Sequence, residues 1–157
     1  MEEEKMPKKI ISLICALFAM VAVMSVPTSQ SFAGNDIRRV AIHVDQNDNR
    51  LMNLALNNAE NVMKYYTDKG QKVEVRIVAY GPGLHMYRAD TSPVKARIEK
   101  MSLQYDNMSF AACGNTHRKM SEKAGKKVAI IDEAKMVPSG VVELIELQRQ
   151  GWSYIRP

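Results

Sequence analysis

The sequence predicts an α/β fold with a mainly parallel sheet of about five strands, covered on both faces. Three observations carry that prediction. Short β-rich apolar runs alternate with helix-period segments from Arg38 to the end of the chain. Capping and stop residues stand at the joints between them. No repeat, low-complexity segment or interdomain linker interrupts the alternation. Strands alternating with helices imply right-handed crossovers, and therefore parallel neighbours.

The elements follow in order. "RRVAIHV", Arg38 to Val44, is β-rich and apolar, and the polar turn "DQNDN" ends it. The next segment places apolar residues at Leu51, Ala55, Ala59, Val62 and Tyr66, the steps of three and four that make a helical face. Asp48 or Asn49 is placed to cap this helix and Gly70 to stop it. "KVEVRIVAYG", Lys72 to Gly81, returns to strand character, and Gly81-Pro82-Gly83 breaks it as a tight turn. Ser92-Pro93 opens a short helix through Met101, since proline suits a first helical turn. "MSFAAC" is a third strand, and "THRKMSEKA" a polar helix ended by Gly125. "KKVAIIDEAKMVP" holds two apolar clusters, Val128 to Ile131 and Met136-Val137. Either could supply the fourth strand, and the second is better placed, just before the next helix. Ser139 caps that helix, "GVVELIELQRQ", Gly151 terminates it, and "WSYIR" closes the chain as a strand.

Residues 1–33 differ from the rest. Lys5, Lys8 and Lys9 precede an uncharged run from Ile10 to Val26, and a polar stretch then ends in Ser31-Phe32-Ala33. A basic start, an apolar middle and a small-x-small exit have the layout of a secretory signal peptide, with cleavage expected near Ala33 and a periplasmic or otherwise exported product. The apolar run sits at the lower limit for spanning a bilayer, so an uncleaved anchor is the alternative, and membrane contact is expected only through this segment. Residues 34–157 then form one domain. Glu2, Glu3 and Glu4 offset the three leader lysines, so the net charge of +5 belongs to that domain. Such a charge aids solubility and mildly favours anionic partners. It falls far short of a nucleic-acid-binding signature, and no nucleic acid partner is expected.

Of the two cysteines, Cys15 lies in the leader and reads as an ordinary hydrophobe. Removing it leaves Cys113 alone, unable to form an internal disulfide. A lone cysteine in an exported protein suggests intermolecular pairing or a reactive thiol. Cys113 ends the third strand, and open α/β sheets gather their chemistry beyond the carboxyl ends of the strands. The thiolate is the nucleophile, and a helix N-terminus lowers the thiol pKa with unpaired N–H groups and a positive dipole end. Gly114 lets the backbone turn beside the sulfur, and Asn115 or Thr116 is placed to cap the following helix. That region carries Arg118, Lys119, Lys123, Lys126 and Lys127 against Glu122, a surplus favouring a thiolate or an anionic sulfur substrate. The plain alternative is a core cysteine at the end of a core strand, beside a solvated basic helix face.

Other constellations carry less. His43, His85 and His117 share no metal-site spacing with one another or with Cys113, and no metal is expected. His43 ends a strand and reads as a satisfied, half-buried histidine. The methionines from Met52 to Met136 are scattered, as gap-filling residues are. "YGPGL" lacks both phosphate-loop spacings. No Cys-x-x-Cys pair and no GxSxG elbow is present.

Taken together, "ALNNAENVM", "VEVRIVAYGPGL", "FAACGNT" and "VPSGVVELIELQRQGWSYIRP" resemble the DsrE/DsrF-like family of sulfur-relay proteins, over nearly all of Val40 to Pro157. The resemblance implies a flavodoxin-like three-layer sandwich, commonly assembled into trimers or hexamers. It also implies a strand-end cysteine that accepts sulfur as a persulfide and hands it on. Cys113 matches that position. Gly114, Asn115 and Thr116 are similar to the turn after it, and Gly81, Pro82 and Gly83 to the neighbouring loop, so these six are the expected substrate-binding wall. No cofactor is implied, and the partners would be a sulfur donor and an acceptor protein. The resemblance departs in two respects: the characterised relays are cytoplasmic, and not every branch of the family uses its cysteine for sulfur transfer. Two functions follow, with a thiol redox sensor between them. One is a sulfur carrier rather than a turnover enzyme, working through a persulfide on Cys113. The other is a non-catalytic binding or assembly module in which Tyr80, Tyr87 and Trp152 hold a ligand or partner. An accessible, low-pKa thiol favours the first, a buried thiol of ordinary or raised pKa the second.

Overall fold

β1 (Arg38–Val44) is buried from Val40 to Val44, and the sheet is built outward from it. In the computed structural model, which describes residues 37–157, β1 pairs in parallel with β2 (Val73–Ala79) and, on its other edge, with β5 (Ser153–Ile155). β2 pairs with β3 (Met108–Cys113), and β3 with β4 (Ala134–Val137). The order is β4-β3-β2-β1-β5, all parallel, a flavodoxin-like α/β arrangement. The expected leader and its cleavage at Ala33 lie outside the described residues.

The first three connections step along the sheet in one direction, and the fourth returns from its far edge to the other side of β1. α1 (Asn49–Asp68), α2 (Lys95–Gln104) and α3 (Gly114–Ala124) serve the forward steps, and α4 (Gly140–Arg149) the return. Right-handed crossovers in opposite directions put the connecting helices on opposite faces. The larger core packs Met52, Leu56 and Met63 of α1 and Ile98 and Met101 of α2 against Ile42, Val44, Ile77 and Phe110. The smaller core, on the other face, packs Leu144 and Leu147 of α4 against Ala41, Val78 and Ala111. Glu143 in the first turn of α4 forms an ion pair with Arg76 of β2, which fixes the helix over that face. Ala41 and Ala111 on either side of Val78 leave room for α4 on that face.

Several local expectations are corrected. Asp48 is the cap of α1, its carboxylate accepting from the Leu51 N–H at 2.9 Å. The deepest residues of α1 include Met52, Leu56 and Met63, beside Ala55 and Ala59. Leu51, Val62 and Tyr66 only flank them, because the long unbranched side chains reach further into the core. Gly81–Tyr87 is a 3-10 helix rather than a simple turn, with Pro82 at its start, where no N–H is needed. Gly83 crosses the end of β1 so closely that a Cβ there would lie 2.3 Å from the Val44 carbonyl oxygen. α2 begins at Lys95, after Val94, and not at Pro93. The fourth strand is the second apolar cluster, as the sequence favoured. The first cluster makes one antiparallel bridge, Arg88 with Ile130, and Val128 and Ile131 are buried. Ser139 stands at the start of α4 but its side chain makes no capping bond, and the Glu143 N–H donates to the Ser139 carbonyl at 2.9 Å. Among the described residues no helix is long and apolar enough to cross a membrane.

Candidate functional site

Cys113 is the last residue of β3 and itself the N-cap of α3, so neither Asn115 nor Thr116 caps that helix. The helix begins at Gly114, because the chain turns directly from extended to helical backbone. Gly114 sits against the β4–α4 link, where an added Cβ would lie 3.0 Å from the Val137 carbonyl oxygen. The Asn115 N–H reaches the Pro138 carbonyl at 3.3 Å. The starts of α3 and α4 are thereby drawn together over the end of β3.

The sulfur lies between them. Cys113 is 4% exposed, and burial pushes its thiol pKa up. Hydrogen bonds from the Thr116 hydroxyl and from the backbone N–H groups of Gly140, Thr116 and Asn115 push it down, and they prevail. The thiol ends below its ordinary value because donors that favour the charged form outnumber what desolvation removes. Three of the four donors come from α3 and one from α4, so the positive ends of two helices act on one sulfur. The Thr116 hydroxyl is held in place for this, since it accepts the Gly81 N–H at 2.9 Å. Gly140 must be glycine for the second helix to come this near. A Cβ there would lie 2.9 Å from Tyr80 Cβ and 3.1 Å from Cys113 Cβ.

The residues expected around Cys113 divide into three groups. Asn115, Thr116 and Gly81 join its hydrogen-bond network. Gly114 and Gly83 permit close backbone packing. Pro82 is exposed on a cleft of about 720 Å³ that Gly81 and Thr116 also line. Sequence reading missed Gly140 as a donor, because nothing local to "VPSGVVEL" marks it as a neighbour of Cys113. Tyr87 is removed as a ligand contact: it is fully buried and its hydroxyl donates to the Ile77 carbonyl at 2.8 Å. Trp152 packs against the smaller core.

Beside this network, on the same sheet face, His43 stacks on Tyr80 with ring centroids 4.5 Å apart. Its Nδ1 is 2.7 Å from the Tyr154 hydroxyl, but its buried Nε2 has no hydrogen-bond partner among the described residues, contrary to the satisfied histidine expected. The Asp45 Oδ1 is likewise buried and unpartnered, while its Oδ2 holds Arg156 at 2.7 Å. Burial lowers the His43 pKa, Asp45 opposes that shift and Arg156 adds to it. The other histidines serve the backbone: His85 Nε2 is 3.1 Å from the Thr91 carbonyl, and His117 Nε2 is 2.7 Å from that of Val128. Among the described residues no cluster of His, Cys, Asp and Glu is placed to hold a metal ion.

Comparison with known proteins agrees with this architecture. The chain is similar to a solved structure described as a protein of unknown function, MTH1491 from Methanobacterium thermoautotrophicum. The two share 29% identity and a TM-score of 0.64 over 76% of this chain and 99% of that one. No curated protein matches. The model of the DsrE/DsrF-like family matches residues 19–157, most of the sequence and the whole described domain. The chain belongs to the DsrE/DsrF-like family.

Proposed function

We propose that the protein is a sulfur carrier that holds a persulfide on Cys113, within a family linked to sulfur relay. The observation that carries this reading is the placement of Cys113 at the end of β3, as the N-cap of α3, with the start of α4 so near that a Cβ on Gly140 would lie 3.1 Å from Cys113 Cβ; hydrogen bonding there holds the thiol below its ordinary value despite burial. The thiolate attacks the terminal sulfur of a sulfane donor. The donor's S–S bond breaks, its remaining fragment leaves with the electron pair, and Cys113 gains one sulfur. An acceptor thiol then attacks that outer sulfur, and the Cys113 thiolate is the leaving group. No net oxidant or reductant is needed. The same donors serve both the attacking and the departing anion.

The leader read in the sequence supports an exported, periplasmic setting. Val141, Val142 and Ile145, about half exposed along α4, support self-association into a trimer or hexamer. Burial of Cys113 favours the second reading, a binding or assembly module in which the cysteine only lines the site.

One experiment separates them. The protein and its Cys113→Ser variant are exposed briefly to polysulfide, digested, and the peptide containing residue 113 is weighed. One added sulfur on the wild-type peptide alone, removed by a thiol reductant, is the expected result. No adduct in the folded protein, with ready labelling of Cys113 after unfolding, overturns the carrier in favour of the module.

A further inference from the structure

Buried polar groups in folded proteins are almost always paired. Among the described residues two buried side-chain atoms have no partner, His43 Nε2 and Asp45 Oδ1. They belong to one corner. His43 is the last but one residue of β1, Asp45 is the first beyond it, and the Asp45 charge acts on the His43 ring. The strand order reverses here, with β2, β3 and β4 on one side of β1 and β5 on the other. In open α/β sheets, ligands bind outside the carboxyl ends of the strands at such a reversal. β5 and the residue after it bring two further walls. The Tyr154 hydroxyl is 2.7 Å from His43 Nδ1, and Arg156 holds Asp45 Oδ2 at 2.7 Å. Tyr80 closes the side toward Cys113 by stacking on the imidazole. His43 is deeply buried, whereas Tyr154 is 42% exposed and the Arg156 side chain 49% exposed. The corner is therefore polar at its base and reaches solvent at its rim.

The two unpartnered atoms select the chemistry of what fits. A carboxylate only accepts, so Asp45 Oδ1 requires an N–H or O–H donor. With the Tyr154 hydroxyl donating to Nδ1, the other ring nitrogen carries the proton, so His43 Nε2 requires an acceptor. Arg156 already offsets the Asp45 charge, so a charged ligand would find no counter-ion. Tyr80 and Tyr154 give the corner aromatic walls, which suit a flat group. We propose that the β1–β5 corner binds a small uncharged molecule bearing a carboxamide, its N–H donating to Asp45 Oδ1 and its carbonyl accepting from His43 Nε2. The molecule enters past Arg156 and Tyr154, on the far side of Tyr80 from Cys113. The site takes no part in the chemistry of the sulfur and stands independently of the carrier reading.

The test uses three pyridines of nearly equal shape: nicotinamide (N–H and carbonyl), 3-acetylpyridine (carbonyl alone) and nicotinate (carboxylate). Each is titrated into the protein while the ring signals of His43 and Tyr80 are followed by NMR. Nicotinamide is expected to shift both signals saturably. It should bind roughly tenfold more tightly than either of the others, which lack the donor that Asp45 Oδ1 requires. His43→Phe, which keeps the stack on Tyr80, and Asp45→Ala, read at Tyr80, are each expected to remove that preference. His85→Gln, at a histidine outside the corner, is expected to leave it in place. No saturable shift with nicotinamide means that the two atoms hold water only, and overturns the site. Equal affinity for the three probes, or a preference that survives both corner variants, overturns it as well. Persulfide loading at Cys113 is measured separately, so either proposal can fail without the other.

Discussion

Cys113 and His43 occupy the same face of one sheet, two strands apart, with the Tyr80 side chain between them, and the fold treats them in opposite ways. The sulfur is surrounded by more donors than a thiol needs. The imidazole is stacked and held at one nitrogen, and its other nitrogen is buried without a partner. Both are about equally hidden, at 4% exposure each. Burial alone therefore does not decide which side chain is prepared to carry charge. The donors do: for Cys113 they outweigh desolvation, and for His43 desolvation prevails and disfavours the charged ring. The difference lies in position along the sheet, since the starts of α3 and α4 meet at the end of β3.

The largest effect should come from closing the gap between the two regions. Gly140→Ala puts a methyl group between Tyr80 and Cys113, where overpacking costs about 1–3 kcal/mol, and it displaces the α4 N–H from the sulfur. Urea unfolding should show the loss, and the pH profile of Cys113 alkylation should move to higher pH. An unchanged profile would remove α4 from the comparison. Thr116→Val comes next. It deletes the one side-chain donor, and hydrogen bonds to charged groups are worth about 1.5–3 kcal/mol, so alkylation near pH 7 should slow roughly tenfold, with a loss of stability of about 1 kcal/mol because the Gly81 N–H loses its acceptor.

At His43 the expected effects are smaller. His43→Phe keeps the stack on Tyr80 and removes the unpartnered nitrogen. Stability should stay within about 1 kcal/mol of wild type, where His43→Ala should cost about 2 kcal/mol or more through lost packing. A large loss in the Phe variant would mean that the Tyr154 bond, and not the stack, holds this corner. The mildest test is acidification. The folded pKa of His43 lies below its usual value near 6.5, so between the two values the unfolded chain binds more protons. Its contribution is fully present above about pH 6.5 and is lost as pH falls below it, against the facing charges of Asp45 and Arg156. The melting temperature of the wild type should therefore drop more between pH 7.5 and 5.5 than that of His43→Phe.

Much of this was legible in the sequence. The alternation from Arg38 onward gave the parallel sheet, and "MSFAAC" placed Cys113 at the end of the third strand, where it stands. Local signals worked where they depend on local geometry, as with Asp48 capping α1 and Gly125 in its left-handed conformation closing α3. They failed where the partner is brought by a crossover. Ser139 looked like a cap, yet the return of α4 over the sheet makes its neighbour Gly140 the residue that matters. Tyr87 was read as a ligand contact, but the 3-10 helix carries it inward, edge to face with Phe110. His43 looked satisfied because buried polar groups generally are. Two of its neighbours, Tyr154 and Arg156, arrive only with the last strand.

α4 has two relations to the sulfur: it lies over the sheet face where Cys113 ends, and it supplies one of the donors that favour its thiolate. Any movement of that helix large enough to expose the cysteine also withdraws the Gly140 N–H. An opened molecule therefore displays a thiol that is easier to touch but harder to ionise, while a closed one holds a thiol that ionises more readily and that bulk reagents reach poorly. That coupling is a form of chemical discretion. The side chain is most nucleophilic when few molecules can meet it, and a reagent that simply waits for the protein to breathe finds the less reactive form.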